Sequence, residues 1–512
     1  MKAKKILCYS PYNSWQLHGL YEITILHALN LRGAEIKHVL CDGVFKACDI
    51  HWEATNPRCD KSCEECQIHT SYLSKQMGMP FDKLSNYITE TEYKLTNEFT
   101  KNLHPEKFES AIFKSWNIGE WVKSSVHSHF RMNKINVLDE KVSSAYLNYI
   151  ESGILVAHGM SRLIEKFKPD ILFIFSGRLS TLRVALEVAK DSNLETYLHE
   201  RGTVYDTVNI WKNSPKNFHQ LKQYKSYWKY WKDVQLTPSQ KDETINLLKA
   251  FQKGKGSSWK SFVTTEKIGS QKIINEFNIN TAKQVWTIFT SSTDEIAADE
   301  RNEVFGNQMT WIEETIRIAI KRQKILLIRI HPNVASKVSN GINKEETQYF
   351  INIKHKYKDQ DNYIKFIDSD CDINTYDLVD ITNVAITYGS TIGLEMACMG
   401  KNVVVCAESF YDCLRNIWVV RKKEVYEDLL CNAARIENKN SIKDEALKFA
   451  HFYYFAATSI KFPLVKMTDP HNAVLNYSSL NELLPGKDEN LDRICDYILF
   501  DKDIVKIPNI GN

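Results

Sequence analysis

Short apolar runs alternate with segments of helical periodicity along most of the chain. Ile6–Tyr9 reads as a strand, followed by a loop, a helix from about Gly19 to Arg32 and a second strand at Ile36–Cys41, a β-α-β opening. After a cysteine-rich excursion and a helical region to about Lys166, strand Ile171–Phe175, helix Ser180–Asp191 and strand Thr196–His199 repeat the alternation. From about Val204 to Lys283 the pattern weakens into polar and basic helices and the loop Gly254-Lys255-Gly256-Ser257-Ser258, which reads as an interdomain connection. A second series follows: strand Val285–Thr290, helix Met309–Arg322, strands Ile325–Ile330 and Ile364–Ile367, helix Thr375–Ile381, strand Val384–Thr387, helix Thr391–Met399 and strand Asn402–Val405. Ser441–Thr458 reads as a closing helix, and Asp469 to Asn512 as a polar tail packing back on the first domain. Continuous apolar strands alternating with helices predict parallel, doubly wound sheets. The expected fold is therefore α/β with two Rossmann-like domains. The first spans 1–210, with a cysteine-rich insertion at 41–66; a helical connection (211–283), a second domain (284–440) and the closing helix and tail (441–512) follow.

A length of 512 residues fits two or three domains. Hydrophobic residues at 43% and charged residues at 25% match soluble globular proteins and exclude disorder or a fibrous repeat. Lys plus Arg (66) nearly balances Asp plus Glu (63), so no global field selects nucleic acid as a partner. The basic and aromatic segment Lys212–Lys232 offers either a peripheral contact with an anionic membrane or an amphipathic helix that buries its rings on a neighbour. The apolar run at the amino end is too short for a secretory segment, and the other apolar runs are of strand length, so the expected location is the cytoplasm.

Two predicted strands deliver polar residues to the loops at their carboxyl ends. One leads into Arg329-Ile330-His331-Pro332-Asn333 and the other into Thr387-Tyr388-Gly389-Ser390-Thr391-Ile392-Gly393. Ligands of open parallel sheets bind at that end, where loops converge and helix N-termini point N–H groups at an anion. Two such loops in one sheet predict a nucleotide or phosphate site. Pro332 stops its strand and aims the loop. His331 is then placed to donate to a phosphate and stabilise charge on a leaving group, or else to make a structural backbone bond. In the second loop Gly389 permits close backbone approach, while Ser390 and Thr391 offer hydroxyls that equally suit a helix N-cap. Glu395, one turn into the helix, can accept from a ribose or simply complement the helix dipole.

Five of the 12 cysteines lie in one stretch: Cys41, Cys48, Cys59, Cys63 and Cys66. Without an export signal, metal ligation accounts for this density better than disulfides. Cys41, Cys48, Cys63 and Cys66 suit a structural zinc ion, with Cys59 or His51 as substitutes; the same ligands fit an iron–sulfur cluster, and reduced thiols without metal are the remaining reading. The spacing of Cys59, Cys63 and Cys66 also resembles the cluster motif of radical S-adenosylmethionine enzymes, although there the motif directly follows the first strand and here it follows the second.

His331-Pro332 after a strand, the acidic stretch Asp372–Asp380, then Thr387–Glu395 and Gly400-Lys401-Asn402-Val403 together resemble the capsule polysaccharide biosynthesis proteins. The likeness is strongest over 285–406 and weaker at Phe175-Ser176-Gly177-Arg178 and His199-Glu200-Arg201-Gly202. It implies a GT-B glycosyltransferase, with two domains facing across a cleft, similar in layout to bacterial Kdo and sialyl transferases. Such an enzyme moves a sugar from a nucleotide-activated donor, a CMP-sugar or an NDP-sugar, to a growing surface polysaccharide or glycolipid. By the same resemblance Arg329, His331 and Asn333 contact the donor phosphate, Ser390 and Thr391 complete its cradle beside Gly389 and Gly393, and Tyr388 and Glu395 meet ribose or base. Glu200 is the matching general base, although arginine follows it where the related motif has an acidic residue, and its other reading is an ion pair with Arg201 or Arg178. Glu22, in the first turn after His18-Gly19-Leu20-Tyr21, is the second candidate base. The chain lacks the paired Asp-x-Asp of metal-dependent transferases, so no divalent ion is expected in the transfer. Rival readings are a CDP-polyol phosphotransferase of teichoic-acid type, a nucleotide-sugar epimerase, and a noncatalytic scaffold of a polysaccharide assembly complex.

Overall fold

The computed structural model describes residues 3–506 apart from 13–14, 52–62, 70–73, 75–76, 214–218, 260, 264, 294–295, 297–303, 336–342, 437–438, 458 and 471. Its contacts separate two compact units. One comprises the described residues of Met1–Phe130, Lys134–Gln220 and Ala457–Lys506; the other comprises Arg131–Asn133 and those of Leu221–Ala456. The α/β class expected from the sequence is what the structure has.

In the first unit, β1 (Lys5–Ser10), β2 (Glu35–Leu40), β3 (Phe81–Lys83), β4 (Ile171–Phe175), β5 (Glu195–Arg201), β6 (Thr207–Lys212) and a two-residue strand at Ile460–Lys461 form one sheet. Reading inward from one edge, β3, β2, β1, β4 and β5 are parallel, and all five residues of β4 are buried because helices cover both faces. The sheet is not wholly parallel as expected: β6 runs antiparallel to β5, and Ile460–Lys461 antiparallel to β6. The short Gly202–Asp206 connection explains the first reversal, since a parallel crossover needs a dozen residues or more. The returning segment also supplies helix Glu489–Phe500, whose Asp492 pairs with Arg32 at the end of helix Gln16–Leu31.

The second unit holds β7 (Val285–Phe289), β8 (Ile325–Arg329), β9 (Ile364–Ile367), β10 (Val384–Thr387), β11 (Asn402–Val405) and β12 (Ile417–Val419), ordered β12-β11-β10-β7-β8-β9 and parallel throughout. From β7 the chain builds outward through β8 and β9, then crosses back to β10 and builds the other way. The carboxyl ends of β7 and β10 therefore flank a topological switch point, where the following loops diverge and leave a crevice. The expected helix at Thr375–Ile381 is a single 3-10 turn, Thr375–Leu378, capped by Asn374 and cut short by the approach to β10. The closing helix is α-helical over Lys439–His451 and continues as a π-turn over Phe452–Ala457.

Within the basic aromatic helix His219–Trp231, Tyr224, Trp228 and Trp231 are buried. They pack on Tyr453, Phe449 and Phe452 with ring centroids 5.7, 5.0 and 5.6 Å apart. Its apolar face is thus spent inside the unit. Among the described residues no helix is long and apolar enough to cross a membrane.

Candidate functional site

The switch point of the second sheet gathers the loops after β7, β8 and β10. Thr290, the first residue beyond β7, accepts the backbone N–H of His331 through its hydroxyl at 2.8 Å, tying the two neighbouring loops together. His331 Nδ1 accepts the backbone N–H of Asn333 at 3.2 Å, so the neutral imidazole carries its proton on Nε2 as a donor. Phe262 meets the imidazole edge-to-face at 4.7 Å. Asn333 is buried, and its carbonyl accepts from the Arg131 guanidinium at 2.9 Å, while a second Arg131 contact reaches the Ser292 hydroxyl at 3.4 Å. A cation therefore sits beneath the two loops. Sequence reading had not found Arg131, which lies far along the chain in a non-glycine left-handed conformation at φ 50°; neither charge pattern nor periodicity marks it.

The loop after β10 turns at Gly389, whose φ of 86° favours glycine. Ser390 is half-buried and Thr391 exposed, and Thr391 makes no side-chain cap to the helix that follows it, so its hydroxyl is not spent on the N-cap alternative. Tyr411 holds the loop from behind: its hydroxyl donates to the Ser390 carbonyl at 2.7 Å and lies 3.1 Å from the Thr387 hydroxyl.

Three expected contacts take a different form. Arg329 is buried, and its guanidinium donates to the carbonyls of Ile330, Asp368 and Ile373, so it braces the loop after β9 rather than extending toward a ligand. Tyr388 continues the alternation of Val384 and Ile386, and the register of β10 turns it into the core, where its ring lies 5.0 Å from that of Trp311. Glu395 is buried behind the loop and accepts from the Tyr376 hydroxyl, and burial pushes its carboxyl up to about 7.

In the first unit the polar residues at the carboxyl end of the sheet divide between two faces of β5. His199 Nε2 lies 2.9 Å from Glu22 Oε1, and Ser10 donates to Glu22 Oε2 at 2.6 Å. Because the Ser10 proton is given to Glu22, the 3.0 Å contact between Ser10 and His38 Nε2 makes His38 the donor, as a neutral ring whose pKa burial lowers to about 4. The result is a buried relay, His38 to Ser10 to Glu22, with His199 on the other carboxylate oxygen. Cys8, Glu22 and His38 bring their ligand atoms within 4.8 Å of one another, and each carboxylate oxygen of Glu22 also has one hydrogen-bond partner, Ser10 or His199. Glu22, expected as a candidate base near an acceptor, is thus committed inside the unit. Glu200 is also buried and points to the opposite side of β5, with Oε1 4.0 Å from the Arg201 guanidinium; Arg178 instead donates to Ser124 and Ser128 at 3.3 and 3.1 Å.

Cys41 directly follows β2, and Cys48 precedes the short 3-10 turn Asp49–His51. Cys63 and Cys66 lie in helical residues 63–69, whereas Cys59 falls outside the described residues.

No family model matches the sequence, and no curated protein matches it. Among solved structures the chain is similar to KpsC of Thermosulfurimonas dismutans, a beta Kdo 2,4 transferase, at 14% identity, covering 62% of this chain and 87% of that one with a TM-score of 0.36. A glycosyltransferase from Rickettsia africae matches at 11% identity over 98% of this chain and 100% of its own, with a TM-score of 0.32. A UDP-GlcNAc 2-epimerase from Methanocaldococcus jannaschii matches at 10% identity over 86% and 97%, with a TM-score of 0.29. At these identities and scores the likeness says nothing about activity.

Proposed function

We propose that the chain is a glycosyltransferase whose second unit binds a nucleotide-activated sugar and whose product is a surface polysaccharide or glycolipid. The observation that carries this reading is the gathering, at one topological switch point, of a fixed imidazole donor, a buried guanidinium and a hydroxyl-bearing glycine turn. His331 is assigned the donor phosphate through Nε2–H, with Ser390 and Thr391 completing the cradle. Arg131 supplies positive potential beneath the loops, where exclusion of water strengthens it. Asn333 and Arg329 are positioning residues in this reading, one fixing the His331 tautomer and the other the shape of the adjoining loop.

The acceptor is assigned to the first unit. Glu200, at the end of β5, is the group proposed to take the proton from the acceptor hydroxyl in an inverting transfer. The departing nucleotide phosphate would then gain charge as its bond to the sugar breaks, and His331 would stabilise that charge.

The test is a thermal-shift panel of CMP, CDP, UDP and GDP on the purified chain, with His331→Ala alongside. A nucleotide at 100 times its dissociation constant should stabilise the protein by about 2.7 kcal/mol. One nucleotide is expected to raise the midpoint selectively and to lose that effect in His331→Ala. A panel with no response from any nucleotide would overturn the donor-site assignment.

A further inference from the structure

The buried polar group between β1, β2 and helix Gln16–Leu31 takes no part in the proposed transfer. Side chains two apart on a strand share a face, so Cys8 and Ser10 of β1 project to the same side of the sheet. His38 is the register partner of Cys8 in the parallel pairing of β1 with β2, and it joins them on that side. Glu22 reaches the same place from helix Gln16–Leu31, and all four residues are buried.

A sulfur, an imidazole nitrogen and a carboxylate oxygen from Cys8, His38 and Glu22 thereby lie within 4.8 Å of one another, and no other group of three His, Cys, Asp or Glu side chains does so among the described residues. The Ser10 hydroxyl oxygen stands among them, 3.5 Å from Cys8 Sγ, 2.6 Å from Glu22 Oε2 and 3.0 Å from His38 Nε2. Around a tetrahedral zinc ion, with bonds of about 2.0–2.3 Å, ligand atoms are about 3.3–3.8 Å apart, so side-chain shifts on the order of 1 Å would admit the ion. Two further features suit a metal. His199 Nε2, 2.9 Å from Glu22 Oε1, holds the carboxylate from outside the group, as outer partners orient metal ligands. His38 Nδ1 has no hydrogen-bond partner among the described residues, so moving the ring proton there to free Nε2 breaks only the bond to Ser10.

We propose that Cys8, Glu22 and His38 form a zinc site inside the first unit, with the Ser10 hydroxyl oxygen as the fourth ligand. A thiolate and a carboxylate balance the charge of a divalent ion, so the occupied site is neutral in its buried surroundings. Burial keeps the Cys8 thiol protonated in the metal-free chain, and coordination displaces that proton to solvent. Four closed ligands leave no open position for a substrate, which makes the ion structural. It would pin the first turns of helix Gln16–Leu31 to β1 and β2. Because the ligands are buried, the ion would enter as the unit folds.

The experiment is metal analysis and X-ray absorption spectroscopy on the full chain produced in zinc-supplemented medium, with absorption spectra of the chain produced with Co2+. We expect a single zinc ion per chain bound by one sulfur at about 2.3 Å and three nitrogen or oxygen atoms at about 2.0 Å. The cobalt form should show a thiolate-to-cobalt charge-transfer band with tetrahedral ligand-field bands. Cys8→Ala should lose that band and reduce bound metal at least about tenfold while leaving the nucleotide response of the second unit in place, which separates this site from the donor site. If Cys8→Ala fails to fold, the sulfur count on the wild-type chain gives the answer by itself. Wild-type protein that holds no metal and shows no thiolate band with Co2+ overturns the proposal. So do two or more sulfurs per ion, which would place the metal at other cysteines, and a folded Cys8→Ala variant that retains its metal.

Discussion

Gly393→Ala is expected to destabilise the second unit by about 3 kcal/mol and to abolish its nucleotide response. Gly393 lies in the first turn of helix Ile392–Cys398, where alanine would ordinarily stabilise by about 1 kcal/mol. The surroundings reverse that preference. A Cβ at this position would stand 2.0 Å from the Tyr411 hydroxyl oxygen and 2.7 Å from its Cζ, and Tyr411 is fully buried. The ring has no open side to move into, and its hydroxyl is bonded to the Ser390 carbonyl and the Thr387 hydroxyl. Relieving the overlap would break bonds worth about 1 kcal/mol each and release the turn that carries Ser390 and Thr391. Denaturant unfolding of the two variants and their combination checks this account. Tyr411→Phe alone should cost about 1 kcal/mol, and Gly393→Ala should cost less in that background because the closest contact is gone. If Gly393→Ala proves stabilising, the turn is not held from behind by Tyr411.

Much of this arrangement was legible in the chain. The short, mostly apolar runs at Ile171–Phe175, Ile364–Ile367, Val384–Thr387 and Asn402–Val405 read as strands because a sheet covered on both faces asks for little else. The loops after β8 and β10 stood out because polar residues follow such runs abruptly. What sequence reading missed is nonlocal. The order of strands decides that β7 and β10 are neighbours, and with that order the Thr290–Thr293 loop joins the site, although its residues alone look like an ordinary polar connection. Arg131 joins it by tertiary contact alone. The Ser10, His38, Glu22 and His199 relay escaped for a related reason: each residue sits singly in a different element, and only sheet pairing and the helix after β1 bring them together. Tyr388 is the opposite case. Its period-two relation to Val384 and Ile386 already put it on the core face, and the loop motif drew attention away from that simpler signal.

Replacing Glu395 by glutamine is expected to change how stability depends on pH. The carboxyl is buried and accepts a hydrogen bond from the Tyr376 hydroxyl; burial raises its pKa from 4.5 to about 7, while the Tyr376 bond pulls it part of the way back. The folded protein therefore holds this proton more tightly than the unfolded chain. Stability from this group is fully present below about pH 4.5 and is lost as pH rises through about 7, where the folded state must ionise a buried acid. The span corresponds to about 3 kcal/mol, with the loss complete above neutrality. Glutamine keeps an oxygen that can accept from Tyr376 and does not titrate. Unfolding measured on both proteins between acid and mildly alkaline pH should therefore show near-equal stabilities at the acid end. The variant should become progressively more stable than the wild type as pH rises. Taking the difference between the two proteins removes the contribution of every other titrating group common to both. A difference independent of pH would mean that Glu395 is already ionised in the folded state at neutral pH and is paired more strongly than its surroundings indicate. The same pair of proteins bears on the site itself. A carboxylate that accepts from a ribose should lose nucleotide affinity on conversion to the amide, whereas a buried acid that only supports the loop should leave affinity nearly unchanged while its pH profile flattens.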